Sequence, residues 1–357
     1  MSPPDYAALM SGRRRGFRAI LFRLLARLAS VPYRLAIGWR NLAFDRHWRA
    51  IHRVEVPVIS VGNLTTGGTG KTPLVCFIAQ ALRCEGIRVA LVSRGYGRGN
   101  AASNDEALEL ELRLPDVPHV QDVDRVAAAR IAIEELECQA IVLDDGFQHR
   151  RIARDLDIVV IDATCPYGHG YLLPRGMLRE PLQSIRRAQI AVLSRSDLVA
   201  PAESAAIAGY YQRLHPKLQW FQANHRPRRL VDSDQQGQPL DELRNARAIA
   251  FCGIGNPDAF AQTIQQCGCE LAGLYRLPDH AVYDRETMAS LVQWCRQQQG
   301  TGRVDFVLCT EKDLVKVRSG QLAGLPLRAI EIELHLDAPE AFTQSMMGCL
   351  RNGPTEG

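Results

Sequence analysis

Lysine is scarce in this chain of 357 residues: only four of its 43 basic side chains are lysine. Arginine offers a planar fork to carboxylates and phosphates, whereas lysine is a compact point charge, so the two are not interchangeable. Each lysine is therefore a candidate for a role that needs an ammonium. Aromatic residues are also few, at 6%, and no aromatic–basic interleaving is present, which argues against a groove that stacks nucleic-acid bases. The ten cysteines include no C-x-x-C pair, the nearest two being Cys267 and Cys269. That spacing favours reduced core thiols over metal or disulfide use. No apolar run reaches the roughly 18 residues of a spanning helix. Arginines interrupt the N-terminal apolar runs, and no small-residue cleavage pattern follows them, so neither a signal peptide nor a spanning segment is expected and the body reads as soluble.

What is present is enough to build a large core: 46% of residues are hydrophobic and 23% charged, and the length suggests two domains. The net charge of +4 is unevenly distributed. Residues 1–53 hold eleven Arg and no Lys against Asp5 and Asp45, a formal +9 that leaves about −5 on the rest. A basic head on a mildly acidic body excludes a uniformly basic nucleic-acid coat and leaves a membrane surface or an anionic ligand as the head's partner. Within it, Phe17, Ile20, Leu21, Leu24, Leu25 and Leu28 fall on one helical face, with Arg18, Arg23 and Arg27 mainly off that stripe or on its margins. This arrangement suits a helix lying in a bilayer interface, although a helix packed on the domain with a solvated basic face has the same pattern. Pro32 is expected to end or kink it, before a second basic segment through Arg40 and Trp48.

From residue 54 onward short apolar strands alternate with helices, the rhythm of a parallel sheet covered on both faces. Strands are expected at 56–61, 88–93, 140–144, 157–162 and 189–194, with helices near 72–84 and 122–137. Residues 218–248 break the rhythm and read as two extended pieces around the turn Asp232–Gly237. It then resumes with strands at 248–252, 304–309 and 328–334 and helices at 257–267, 284–299 and 338–350. The expected division is a basic helical head (1–53), a first α/β domain (54–217), a two-stranded linker (218–248) and a smaller α/β domain (249–357).

The most informative tract runs Val61-Gly62-Asn63-Leu64-Thr65-Thr66-Gly67-Gly68-Thr69-Gly70-Lys71-Thr72-Pro73, between a strand and a helix. Glycines let successive N–H groups point at phosphate oxygens, and the helix N-terminus adds positive potential. Thr65, Thr66, Gly67, Gly68, Thr69, Gly70, Lys71 and Thr72 are the candidate nucleotide-binding residues. Lys71 is placed to reach the β- and γ-phosphates and Thr72 to ligate Mg²⁺. Thr65 stands where the first glycine of the strict G-x-x-x-x-G-K-T pattern belongs. A second apolar strand ends in Asp144-Asp145 before Gly146. At the carboxyl end of a parallel strand such a pair can hold Mg²⁺, and it can equally form the turn. These residues imply a Mg-nucleotide-dependent phosphoryl transferase or switch. Ser194-Arg195-Ser196-Asp197 only superficially matches a guanine-reading motif, because it lacks the Asn-Lys start. The loop is also similar to that of partition-type ATPases, but Thr66 occupies the place of their extra lysine.

A wider set of motifs narrows the choice. It comprises Ser60–Leu64 running into Gly67–Pro73, Ser93–Arg98, Asp144–Arg150, Leu173–Pro181, Gly253–Pro257, Pro278–His280 and Thr310–Asp313. In this order the set resembles the tetraacyldisaccharide 4′-kinase (lipid A 4′-kinase) family, over about residues 56–317. The resemblance implies two α/β/α sandwich domains joined by a two-stranded linker, the first a P-loop NTPase-type parallel sheet. It implies ATP and Mg²⁺ as cofactors and transfer of the γ-phosphate to the 4′-hydroxyl of a tetraacylated glucosamine disaccharide 1-phosphate, giving lipid IVA. The implied location is peripheral, at the cytoplasmic face of the bacterial inner membrane, with a glycolipid substrate, no nucleic acid and no obligate protein partner. Lys71 and Arg179 would act on the transferring phosphoryl group, with Thr72 and Asp144 or Asp145 on Mg²⁺. The family's catalytic aspartate matches Asp105, although Asn104 and Ala107 replace the usual Gly and Pro; by itself Asp105 reads as a surface loop residue. Its histidine partner matches His280, and bringing the two together would require domain closure. Arg94, Arg98, Arg175 and Glu180 are implied acceptor contacts. A nucleotide-dependent switch or partition ATPase acting through a protein is the alternative.

Overall fold

Short apolar strands flanked by helices on both faces form one continuous sheet in the computed structural model, which describes residues 10, 16–95, 107, 109–234, 236–255, 257–278 and 281–352. Its strands are β1 (Val58–Asn63), β2 (Val89–Ser93), β3 (His119–Gln121), β4 (Ala140–Asp144), β5 (Leu156–Asp162), β6 (Ile190–Ser194), β7 (Gln219–Val231), β8 (Gly237–Gln238), β9 (Arg247–Cys252), β10 (Glu270–Arg276), β11 (Phe306–Thr310), β12 (Gln321–Leu322) and β13 (Leu325–Leu336). The longer helices are α1 (Phe17–Asp45), α2 (Lys71–Cys84), α3 (Arg125–Glu134), α4 (Pro201–Leu214), α5 (Pro257–Gln266), α6 (Arg285–Gln299), α7 (Glu311–Val317) and α8 (Pro339–Asn352). The strand order is β10-β9-β11-β13-β7-β6-β5-β1-β4-β2-β3, with β8 and β12 on the side of this path.

Strands β1, β4 and β6 are buried along their whole length, as expected for parallel strands covered on both faces. α2 turns Leu74, Val75, Ile78 and Leu82 onto Ile59, Val61 and Val142. β1 pairs in parallel with β4 on one side and β5 on the other, and the connections after β1 and β4 run in opposite directions, toward β2 and β5. A crevice at such a switch point is where open α/β sheets bind ligands.

The two halves of the sheet meet at its long antiparallel seam. β7 pairs with β6 from Gln219 to Ala223 and then with β13 from Ala223 to Val231. The stretch expected as the linker, 218–248, holds only one of the two long strands of this seam. The long partner of β7 comes from 325–336, and 237–238 contributes only the short β8. α8 also lies in a different place from that expected: Phe342 and Met346 are fully buried in the first half's core beside Leu334 and Leu336. Phe342 packs edge-on against Phe77 of α2 and Phe221 of β7, with ring centroids 5.8 and 5.2 Å apart. The chain's last helix thus returns to the half in which the sheet begins.

α1 continues through Pro32 instead of ending there. It buries Ala19, Ala26, Ala43 and Phe44, while Phe17 (79% exposed), Leu28 (62%), Leu35 (68%) and Trp39 (62%) face outward. A helix that packs its alanines inward and shows its large apolar residues is the reverse of an ordinary surface helix. No helix among the described residues is long and apolar enough to cross a membrane. The ten cysteines are unpaired thiols, six of them buried.

If α8 fastens the end of the chain to the first half, Phe342→Ala will cost about 3–5 kcal/mol, the usual range for removing a fully buried phenylalanine. Urea unfolding will read this as a lower midpoint. A midpoint within error of wild type would show that α8 does not support that core.

Candidate active site

β1 ends at Asn63, and the chain then loops from 64 to 70 before α2 begins at Lys71. Gly70 has φ of +83°, and a Cβ there would lie 2.6 Å from His225 Cε1, so both backbone and neighbour demand glycine. Gly62 allows a second close approach, since its Cβ would meet Phe147 at 2.5 Å where the loop after β4 crosses β1. The phosphate loop is braced from below. Asn63 Nδ2 donates to Thr69 Oγ1 (3.0 Å), Ser194 Oγ to the Thr69 carbonyl (2.7 Å) and Arg195 to the Gly68 carbonyl (2.8 Å). Arg195 also pairs with Asp162.

The first part of the loop is tied to another segment. Thr66 N–H donates to the Met177 carbonyl (2.8 Å), Arg179 N–H to the Leu64 carbonyl (2.8 Å), and Thr65 bridges Leu178. The Thr66 N–H is therefore engaged within the protein, and Thr65 is buried. Thr65 and Thr66, expected to bind phosphate, thus anchor the loop to the 177–178 stretch.

Asp145 is the point where charges converge. It follows β4 with φ of +50°, in the left-handed region. Arg179 donates to both its oxygens (2.7 and 2.9 Å) and also to Asn63 Oδ1 (3.2 Å), while Lys71 Nζ lies 3.5 Å from Oδ1. Burial would raise the Asp145 carboxyl, but Lys71, Arg179 and Arg125 prevail and hold it far below the usual carboxylate range. Asp144 is buried at the end of β4. Arg125, the first residue of α3, donates to the carbonyls of Asp145 (3.0 Å) and Asp144 (3.1 Å). Nearby His225 and His149 are both pushed down to about 4, chiefly by burial and then by neighbouring arginines, so both are neutral at pH 7.

The loop opens into a cleft between the two halves, lined by Gly68, Lys71 and Thr72 on one side and by Phe260, Thr263 and Lys312 on the other. Arg113 pairs with Glu311 across it, and Lys312 Nζ lies 3.7 Å from Glu109. A glycine-bent loop at a helix N-terminus, two cations on one carboxylate and a hydroxyl at Thr72 are the kinds of group that could hold a nucleotide's phosphates.

Comparison with known proteins extends this geometry across the chain. The family model for tetraacyldisaccharide-1-P 4′-kinase matches residues 22–351. The chain belongs to that family. Curated tetraacyldisaccharide 4′-kinases from Syntrophus aciditrophicus and Anaeromyxobacter dehalogenans are 33% and 37% identical to it; the alignments cover 93% and 87% of this chain and 94% and 85% of theirs. The fold is similar to that of LpxK from Aquifex aeolicus solved in complex with ATP, with a TM-score of 0.72, 28% identity and coverage of 92% of this chain and 99% of that one. The chain is thus a kinase, and the switch or partition ATPase alternative is not favoured.

For this family member, the structure brings together Lys71, Thr72, Asp144, Asp145 and Arg179 at the ends of β1 and β4. Arg94, at the end of β2, is exposed and close enough to Arg125 to oppose its charge. Arg175 lies on the α1 side of its segment, with its guanidinium 4.3 Å from the centre of the Tyr171 ring and donating to the Met10 carbonyl (3.1 Å). Glu180 does not fit the expected acceptor contact. It is fully buried, and Arg40, Asn41 and Arg187 take up its carboxylate. Asp105, Arg98 and His280 lie outside the described residues. Sequence reasoning missed Arg125, which looks like one more arginine on a helix. Asn63, Ser194 and Arg195 stand in the motifs above, but their bracing of the loop is visible only in the fold; polar residues closing buried strands were the available signal.

Because the Asp145 carboxyl is lower in the native state than in the unfolded chain, its stabilisation is complete above about pH 4 and is lost as pH falls toward the depressed native value. The gap in urea midpoint between wild type and Asp145→Asn should accordingly be widest at neutral pH and narrow in acid. A gap that does not change with pH would show that Lys71 and Arg179 do not hold this carboxylate ionised.

Proposed function

We propose that this family member transfers the γ-phosphate of ATP to the 4′-hydroxyl of a tetraacylated glucosamine disaccharide 1-phosphate at the cytoplasmic face of the inner membrane, as a peripheral protein. The observation that carries this reading is that a cation-rich phosphate site and an exposed apolar helix share one segment. Residues 171–181 tie Arg179 to the phosphate loop on one side and pack against α1 on the other.

In the proposed reaction, Lys71 and Arg179 neutralise charge on the transferring phosphoryl group. As the sugar O4′–P bond forms, the bond to the bridging oxygen breaks and ADP leaves with its electron pair. Asp105 takes the hydroxyl proton, oriented by His280; support for these two roles is the motif match alone. Thr72, Asp144 and Asp145 supply oxygen donors, the type a hard cation such as Mg²⁺ prefers. Among the described residues no group of three or more His, Cys, Asp or Glu side chains is gathered to hold a metal unaided. When bound, Mg²⁺ supplies charge neutralisation on the phosphates.

For the acceptor, Arg94 and Arg98 are the candidate phosphate contacts, since a guanidinium fork matches a phosphate. α1 is proposed to lie in the bilayer interface with Phe17, Leu24, Leu28 and Leu35 among the acyl chains and Arg18, Arg27 and Arg34 at the headgroups; all seven are exposed.

Incubation with labelled ATP, Mg²⁺ and the acylated disaccharide phosphate should move label into lipid. Asp105→Ala should lower turnover by at least about 100-fold, the lower end of general-base effects, and leave ATP affinity within a factor of two or so. Near-wild-type turnover in that variant would remove Asp105 from the role. Separately, Leu24→Asp with Leu28→Asp should weaken sedimentation with anionic vesicles, while circular dichroism stays unchanged. Undiminished sedimentation would reject the interfacial placement of α1.

A further inference from the structure

The face of α1 turned toward the body carries a polar set with its own logic. Ala19, Ala26, Tyr33 and Arg40 recur every seven residues, with Ser30 and Asn41 beside them. The alanines are buried, and the polar members all reach the 171–181 segment. Ser30 Oγ donates to the Leu172 carbonyl (3.1 Å) and accepts from Arg175 N–H (3.2 Å). Tyr33 donates its hydroxyl to the Arg179 carbonyl (2.9 Å). Arg40 donates to Glu180 Oε1 (2.6 Å) and Asn41 to Oε2 (3.3 Å), the latter oxygen also accepting from Arg187 (2.7 Å).

Two consecutive residues of the segment therefore face opposite partners. Arg179 reaches Asp145 in the phosphate site, and Glu180 is locked to α1 with no exposed surface. A peptide held at both ends of one dipeptide has little freedom to rotate the guanidinium between them. An interaction of this kind acts through position, and small misplacements of a group at the reacting phosphate have large effects on rate.

We infer that Glu180 and Tyr33 are positioning residues through which α1 sets the orientation of Arg179 at Asp145, making the membrane-facing helix part of the active-site scaffold. This rests on the proposed role of Arg179 in phosphoryl transfer. Glu180 is the stronger determinant, because it is a buried carboxylate compensated by two arginines, and replacing it leaves those cations without their counter-charge. Tyr33 is the milder one, a single neutral hydrogen bond to the backbone of Arg179 itself.

The test is a double-mutant cycle on the full chain, assayed with labelled ATP and the acylated disaccharide phosphate. Tyr33→Phe should lower kcat about fivefold, in keeping with one lost hydrogen bond, and Glu180→Gln should lower it more, with KM for ATP and sedimentation with anionic vesicles unchanged. In an Arg179→Lys background neither should cost further turnover, since the group they orient is already misplaced. Losses that multiply with that of Arg179→Lys, or wild-type kcat in Tyr33→Phe, would overturn the inference. Wild-type kcat in Arg179→Lys alone would overturn the underlying role of Arg179 instead, and the inference with it. Thermal unfolding of each variant identifies any that fails to fold, and Tyr33→Phe, which removes one hydroxyl, keeps the cycle decisive if Glu180→Gln does.

Discussion

A partly buried carboxylate between two cations governs this site. Asp145 accepts from Arg179 and lies within ion-pair distance of Lys71, while Arg125 fixes its backbone carbonyl and that of Asp144. Removing charge from water is costly unless each charge has a partner, so these groups must be arranged together or not at all. Four separate stretches of chain are drawn to one point: the end of β4, the first turn of α2, the start of α3 and the 171–181 segment. The three cations outnumber the two carboxylates. A surplus of positive charge suits an anion, as does the N-terminus of α2 beside it.

Much of this was legible in the sequence because it is local. A strand, a glycine-rich loop and Lys71-Thr72 are contiguous, and chemistry in one loop is written in one string of letters. Asp144-Asp145 at the end of an apolar run is equally local. Arg125, Ser194 and Arg195 were not legible as supports, since their partners lie 19, 125 and 127 positions away in sequence. Glu180 was misread for the same reason. An acidic residue beside a candidate phosphate-contact arginine invites a substrate role, and only the approach of α1, about 140 positions earlier, shows that its oxygens are already engaged.

The fold followed the same rule. Alternation of strands and helices was sufficient for the parallel part, where each strand is an apolar run. The pairing of β7 with β13 was not legible, because an antiparallel pair depends on partners, and β7 finds β13 about a hundred residues later. β10 escaped notice, as Gly273 interrupts it within a register shift against β9. α7 is a short helix capped by Thr310, and buried Asp313 accepts from Gly253 N–H (3.2 Å) and the Tyr283 hydroxyl (2.7 Å), partners that lie 60 and 30 positions away.

α1 shows why pattern alone could not choose between an interfacial helix and a packed one. Periodicity reports that large apolar residues share a face; it does not say which way that face turns. The structure turns it outward, because the opposite face carries small residues that let the helix backbone come close to the 171–181 segment. Ser30 has short reach and bonds to backbone atoms only at such proximity, whereas a leucine at position 26 would hold the helix away. Close approach on one side and large apolar side chains on the other are therefore one design constraint seen from two faces. The groups that fasten α1 to the body are not its exposed apolar ones, so the proposed placement of the helix in a bilayer interface would not require releasing Arg179.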